Sequence, residues 1–407
     1  MLRTAPRVFD HPGAGPARRV GTPSRRAAYA PAVSIVGRRA VIVDAVRSPL
    51  GRRDGVFAPV HPVDLAAAVV QALLARAGCD PGRVGEVLLG CASPVGEQAL
   101  NVARHVALAA GLPESVPALT VDGQCGAGLR AVQLAVDTVV SGAHDVVVAG
   151  GLEHMTRVPF GSALLLGGDP LGPRLLTRYP APVPQGVAAE RAAAVTGIGR
   201  DELDAWALRS HERAASARSR GTVVDELVPV AGVTADEAGP VVTAASLAAL
   251  APSYEADGVV TAGNSAPAAD GAAAVLVVAA DVAEVLGLAA RAEVVASASA
   301  GGDPYVFAAA AVPATERVLH DAGLDVGAID RFEVGEQFAV ATLAWLRATG
   351  ADPDRVNARG GAIGLGHPLG ATGARMVATL VHELASGHGL VTLAGADGVG
   401  AAIILRG

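Results

Sequence analysis

The chain has 407 residues, 51% of them hydrophobic, which is enough for two domains of ordinary size; the hydrophobicity resides in Ala and Val, and runs such as 272–280 are too short to cross a bilayer. The net charge is −7 and all 32 basic residues are Arg, with no basic stripe beyond the first residues, so nucleic acid is excluded as a partner and any phosphate held by a cation is held by Arg. The three cysteines, Cys79, Cys91 and Cys125, are too few and too clustered for a disulfide framework or a complete metal site, which predicts a reducing compartment, the bacterial cytoplasm.

Residues 1–38 are rich in Arg, Pro and Gly, carry Asp10 as their single acid, and lack the apolar core of a secretory signal; they read as a disordered leader or an early start. From Ala40 onward strands and helices alternate, which predicts an α/β sheet covered by helices. The pattern is then repeated, because one offset of 245 residues places Ala77-Gly78 on Ala322-Gly323, Gly90 on Gly335, Gly128 on Gly373, Arg130 on Arg375 and Gly150 on Gly395. Each copy reads as an apolar helix ending in Ala-Gly, a short strand, a Gly-rich turn, an amphipathic helix and a buried strand. Two domains are therefore expected, 39–285 and 286–407. The first is longer by an insertion at about 152–255, of the kind that builds a substrate-facing cap.

In both copies the junction between the Gly-rich turn and the following helix is where a reactive group belongs, since free backbone N–H groups and the helix dipole favour anions there. Cys125 occupies that junction in Gly123-Gln124-Cys125-Gly126-Ala127-Gly128. A thiol so placed is expected to ionise easily and to attack a carbonyl carbon, although a small buried core Cys is the competing reading. His367, in Gly364-Leu365-Gly366-His367-Pro368-Leu369-Gly370, lies three residues before the position that pairs with Cys125. Twofold packing of the copies would bring a nucleophile to its base. His105, His144, His211 and His388 lack such a loop and read as structural.

These segments resemble the thiolase family, from about residue 40 to the end. Arg47-Ser48-Pro49-Leu50-Gly51, the loop at Cys125, Gly150-Gly151-Leu152-Glu153-His154-Met155-Thr156, Thr261-Ala262-Gly263-Asn264-Ser265 with Asp270-Gly271-Ala272, and the Gly-His-Pro loop at His367 match in order and spacing. The resemblance implies a duplicated, five-layered αβαβα fold, a homodimer or homotetramer, and ping-pong acyl transfer. It implies acyl-CoA as substrate and no bound cofactor, metal, nucleic acid or membrane. It also implies Cys125 and His367 as catalytic groups, the backbone N–H groups of Cys125 and Ala396 as one oxyanion site, and Ser265 and Phe338 as substrate contacts.

Two positions depart from the family's pattern. The second cysteine, which exchanges the proton at the α-carbon, is replaced by Ala394, and the Asn of the Asn-Glu-Ala-Phe motif, which holds a water beside the loop histidine, is replaced by Gly335 in Gly335-Glu336-Gln337-Phe338. Loss of a general base costs on the order of 10²–10⁴-fold, and loss of one oxyanion donor about a hundredfold or more. Acyl transfer to Cys125 is expected to survive, and carbon–carbon chemistry to be poor unless Asp397, Glu336 or the substrate supplies the base. The alternatives are acyl transfer to a non-carbon acceptor or thioester hydrolysis, and a catalytically silent partner subunit.

Overall fold

The computed structural model describes residues 37–165, 167, 169–180, 182–395 and 398–407; residues 1–36 of the leader, Ala396 and Asp397 lie outside them. The first half contains β1 (Ala40–Arg47), β2 (Gly51–Arg52), α1 (Pro62–Ala77), β3 (Glu86–Gly90), α2 (Val102–Ala109), β4 (Ala118–Val121), α3 (Ala127–Val140) and β5 (Val146–His154). Local signals set the bounds. Helix α1 starts on Pro62, with the His61 side chain accepting from Val63 N, and stops at Gly78, whose φ of +64° suits a residue without Cβ. Helices α4 (Pro173–Arg178), α5 (Gln185–Thr196), α6 (Arg200–Ser219) and α7 (Ala244–Ala248) follow. The chain then returns through β6 (Ala269–Ala279), α8 (Ala280–Leu286), β7 (Ala292–Gly301), α9 (Ala311–Ala322), β8 (Arg331–Val334), α10 (Ala339–Thr349), α11 (Ala362–Leu365), α12 (Leu369–Glu383), β9 (His388–Ala394) and β10 (Val399–Arg406).

The strands run in the order β4-β3-β5-β6-β1-β7-β10-β9-β8. The sequence repeat is visible in that order: β3-β5-β6-β1 in one half answers β8-β9-β10-β7 in the other. In each, the first pair is parallel and the next two are antiparallel. The halves meet where Val41 and Ile42 of β1 pair with Glu293 and Ala292 of β7.

Three apolar cores fill the spaces between layers. Helices α1 and α2 cover one face of the first half-sheet with Leu65, Val69, Leu73 and Val106. Helices α9 and α10 cover the far face of the second with Val318, Val340 and Trp345. Between the half-sheets lie α3 and α12, where Leu129, Val132, Met376 and Leu380 meet Val147, Val275, Val391 and Ile403. The sequence of layers is therefore helices, strands, helices, strands, helices, as the resemblance implied. Helices α3 and α12 approach at their first turns, where a Cβ on Gly128 would stand 2.5 Å from Gly370 O and one on its repeat partner Gly373 would press on the backbone of Leu129.

The segment between β5 and β6 is anchored on β1 by the fully buried Arg47, which donates to Glu226 Oε1 at 2.7 Å and to Asp236 at 2.6 and 2.9 Å. This gives the Arg-Ser-Pro motif a structural role. Among the described residues no helix is long and apolar enough to cross a membrane.

Candidate active site

Cys125 sits in a single turn of tight helix, Gln124–Gly126, that runs straight into α3. Gln124 holds φ at +49°, a value uncommon for a residue with a side chain. Its N–H is tied to Asp122 Oδ1 at 3.1 Å. The Cys125 side chain is buried in a small cluster with Met155 and Leu369, flanked by Ala92 and Ala268. Two of these neighbours belong to the His367 loop: Leu369 is two residues on, and Ala268 faces His367 across a backbone bridge. Cys125 and His367 each stand just before the first turn of one of the two central helices.

His367 is buried, with 6% of its surface exposed. Its N–H donates to Pro267 O at 2.9 Å. Ring Nδ1 lies 2.8 Å from Thr372 Oγ1 in the first turn of α12, and Nε2 is buried with no partner. Burial, and secondarily the nearby Arg375 guanidinium, push its pKa down to about 3 from an ordinary 6.5. The ring is therefore neutral at physiological pH, with one nitrogen fixed and the other available for a proton.

Two buried carboxylates hold this geometry. Glu153 accepts from Ala92 N (2.8 Å), Ser93 N (3.2 Å), Gln98 Nε2 (2.8 Å) and Gly370 N (3.0 Å), joining the end of β5 to the α12 N-terminus. Glu336 accepts from Trp206 Nε1 at 2.7 Å, Ser210 Oγ at 2.6 Å and Ile363 N at 2.9 Å, joining α6 to the turn before His367. Burial raises the pKa of both. The expectation that Glu336 could replace the missing carbon base does not hold, because both its oxygens are turned into α6 and α11. Asp397, the other candidate, and Ala396 with its backbone N–H lie outside the described residues.

At the departed positions, Ala394 ends β9 with 2% exposure, and β9 packs against the Cys125 turn. Its carbonyl accepts from Gln337 Nε2 at 2.6 Å. Gly335 lies against Leu393, whose Cδ1 would overlap any Cβ there. Phe338, expected to touch substrate, is packed edge-on between Phe307 (4.9 Å) and Tyr254 (6.1 Å), and its backbone bridges to Ser265. Among the described residues no cluster of His, Cys, Asp or Glu could hold a metal.

Ser265 does line a cavity, of about 350 Å³, that runs from Arg52 and His211 to Ala268 and Gly366 beside the His367 loop. A smaller adjoining cavity, sharing His211 and Gly364 with the first, reaches Arg218. His211 was set aside in the sequence because no motif surrounds it; its place on this wall comes from α6 packing over the loop. Thr372 was also missed, and the signal was available in principle: a hydroxyl in the first turn of the helix that His367 precedes.

The description "Thiolase, N-terminal domain" matches residues 40–281 and "Thiolase, C-terminal domain" matches residues 288–407. The chain is 39% identical to a 3-ketoacyl-CoA thiolase of Bacillus subtilis, over 90% of this chain and 98% of that protein. It is 38% identical to a 3-oxoadipyl-CoA/3-oxo-5,6-dehydrosuberyl-CoA thiolase of Escherichia coli, over 91% and 99%, and 39% identical to an acetyl-CoA acetyltransferase of Pseudomonas aeruginosa, over 90% and 98%.

Proposed function

The chain belongs to the thiolase family, and on that premise we propose that this acyl-CoA acyltransferase loads an acyl group onto Cys125 and performs the family's carbon–carbon step only slowly. The observation that carries the reading is the packing of Cys125 on Leu369, two residues past a neutral His367 whose Nε2 has no partner. With Nδ1–H donated to Thr372 Oγ1, Nε2 takes the thiol proton as sulfur attacks the thioester carbonyl. The tetrahedral intermediate collapses with loss of the coenzyme A thiolate, which takes the proton back, leaving acyl-Cys125 and free coenzyme A. The developing oxyanion is assigned to the backbone N–H groups of Cys125 and Ala396, as the resemblance implies.

The cavity between Arg52, His211 and the His367 loop suits the pantetheine arm, with Ser265 along its wall and the guanidinium groups of Arg52 and Arg218 at its outer end for the phosphates. Coenzyme A enters and leaves as substrate, and no resident cofactor is required. Leu119 on the edge strand β4 and the nearby Leu100 are exposed, which supports a homodimer or homotetramer formed along that edge. The cytoplasm is the compartment where acyl-CoA is met.

Ala394 favours a second reading of the acceptor. A methyl group cannot exchange the α-carbon proton, so acyl transfer to oxygen, nitrogen or water is better served than condensation. A silent subunit would have no chemical use for the Cys125–His367 pair. Intact-mass spectrometry after mixing with acetyl-CoA tests the proposal. An acetyl adduct absent from Cys125→Ser supports it; an adduct retained in that variant, or none in the wild type, overturns it.

A further inference from the structure

The two copies of the sheet pair where Val41 and Ile42 of β1 meet Glu293 and Ala292 of β7, and a cavity of about 350 Å³ opens beside that pairing. Its walls carry Arg39, Arg291 and Arg406, with Val41 and Leu288 as an apolar side. Arg39 and Arg291 are equivalent, each standing one residue before the first residue of its copy's opening strand. The cavity is remote from the catalytic residues. Gly271, near the start of β6, lies against Pro368 beside His367, whereas Ala280, just past the end of β6, lines the cavity. The intervening strand spans roughly 30 Å at about 3.3 Å per residue.

Two carboxylates anchor the guanidinium groups. Glu293 accepts from Arg39 Nη1 at 3.3 Å and from Arg406 Nη2 at 2.5 Å, and Asp44 is paired with Arg291 Nε at 2.9 Å and with Arg76 Nε at 3.2 Å. Both acids are largely buried, while Arg39, Arg291 and Arg406 are about half exposed. Each acid is thus shared by two cations, and a guanidinium offers five N–H donors, so most donors of the three cavity arginines are left for solvent or a ligand. Arg291 also lines a second cavity, of about 310 Å³, with Asp44 and Arg76. Glu284, exposed on α8, and the last residue, Gly407, complete the first wall. Around the two cavities the side chains of four arginines therefore meet those of three acids, in a chain whose net charge is −7.

We propose that the cavity between Arg39, Arg291 and Arg406 is an anion site whose ligand carries a diphosphate group. Guanidinium forks match phosphate oxygens in charge and geometry, and a cavity of this size admits a diphosphate with a small organic group, for which Val41 and Leu288 offer an apolar surface. Arg39 comes from one copy of the fold, and Arg291 and Arg406 come from the other. A bound anion therefore ties the two halves together and stabilises the folded chain by mass action. The inference is independent of acyl loading at Cys125.

The test is titration of the full chain with inorganic pyrophosphate at low ionic strength, read by calorimetry and by melting temperature. The wild type should bind with a Kd below about 1 mM and melt at a higher temperature as pyrophosphate is added. Arg39→Gln and Arg406→Gln should each weaken binding about tenfold, added salt should weaken it in the wild type, and inorganic phosphate should bind less tightly than pyrophosphate. Arg218→Gln, at the cavity assigned to coenzyme A, should bind pyrophosphate as the wild type does. Absence of binding in the wild type, or wild-type affinity in both Arg39→Gln and Arg406→Gln, overturns the inference. A loss confined to Arg218→Gln also overturns it, by placing the anion in the coenzyme A cavity, and equal affinity for phosphate and pyrophosphate overturns the diphosphate assignment. If Arg406→Gln does not fold, Arg39→Gln decides by itself.

Discussion

His367 and Thr372 form a bonded pair across the entrance to α12, with Nδ1 2.8 Å from Oγ1. The hydroxyl fixes the ring plane, and where Nδ1–H donates to it, Nε2 is the nitrogen left for the Cys125 proton. Thr372→Val keeps the shape and removes the partner. A typical buried hydrogen bond contributes about 1 kcal/mol, so acylation of Cys125 should slow by roughly five- to tenfold with little change in melting temperature. An unchanged rate by rapid-quench mass spectrometry would show that ring orientation is set elsewhere.

The buried, neutral ring also makes stability depend on acid. The pKa of His367 is pushed down to about 3 in the folded protein from 6.5, so between those values the unfolded chain binds a proton that the folded chain refuses. The contribution of neutral burial is complete above pH 6.5 and is lost as pH falls towards 3. The melting temperature of His367→Gln, measured against pH, should decline less steeply over that window than that of the wild type. Parallel curves would mean that the imidazole is not kept neutral by burial.

The α3/α12 crossing predicts a packing effect. Gly128→Ala would bring a methyl group to 2.5 Å from Gly370 O, and overpacking of this kind costs about 1–3 kcal/mol. Because Cys125 and Leu369 enter from the same two turns, acyl loading should fall together with denaturant stability in this variant. Wild-type stability would show that the helices can slide apart.

The duplicated plan was legible in the sequence because it rests on short-range signals: Gly78 and Gly323 cap equivalent helices, and Gly128 and Gly373 let the two central helices touch. Cys125 and His367 were legible for the same reason, as each marks one copy's turn-to-helix junction. The side-chain directions that finish the site were not. Gln337 occupies a motif position where a small residue was expected, and its bond to Ala394 links strands whose pairing the sequence leaves open. Glu336 read as a candidate base until the structure turned it towards Trp206 and Ser210, partners over a hundred residues away. The packing of Phe338 between Phe307 and Tyr254 was equally invisible in the sequence.

Restoring Asn at Gly335 is expected to fail. The new side chain would displace Leu393, which is 1% exposed, and Gly335→Asn should lose roughly 1–3 kcal/mol by urea denaturation without speeding acetoacetyl-CoA thiolysis. Ala394→Cys, which asks only for a sulfur at the end of β9, should raise thiolysis by itself. A gain from Gly335→Asn alone would contradict the packing argument.

The two half-reactions separate at Ala394, and the most direct measurement compares them in wild-type protein: single-turnover acetylation of Cys125 by acetyl-CoA against steady-state thiolysis of acetoacetyl-CoA. The first needs Cys125 and His367; the second also needs a proton at the α-carbon, which Ala394 cannot carry. Thiolysis slower than acetylation by about a hundredfold or more is the predicted result. Thiolysis at an ordinary enzyme turnover, on the order of ten per second, would contradict it and place the proton carrier on another group.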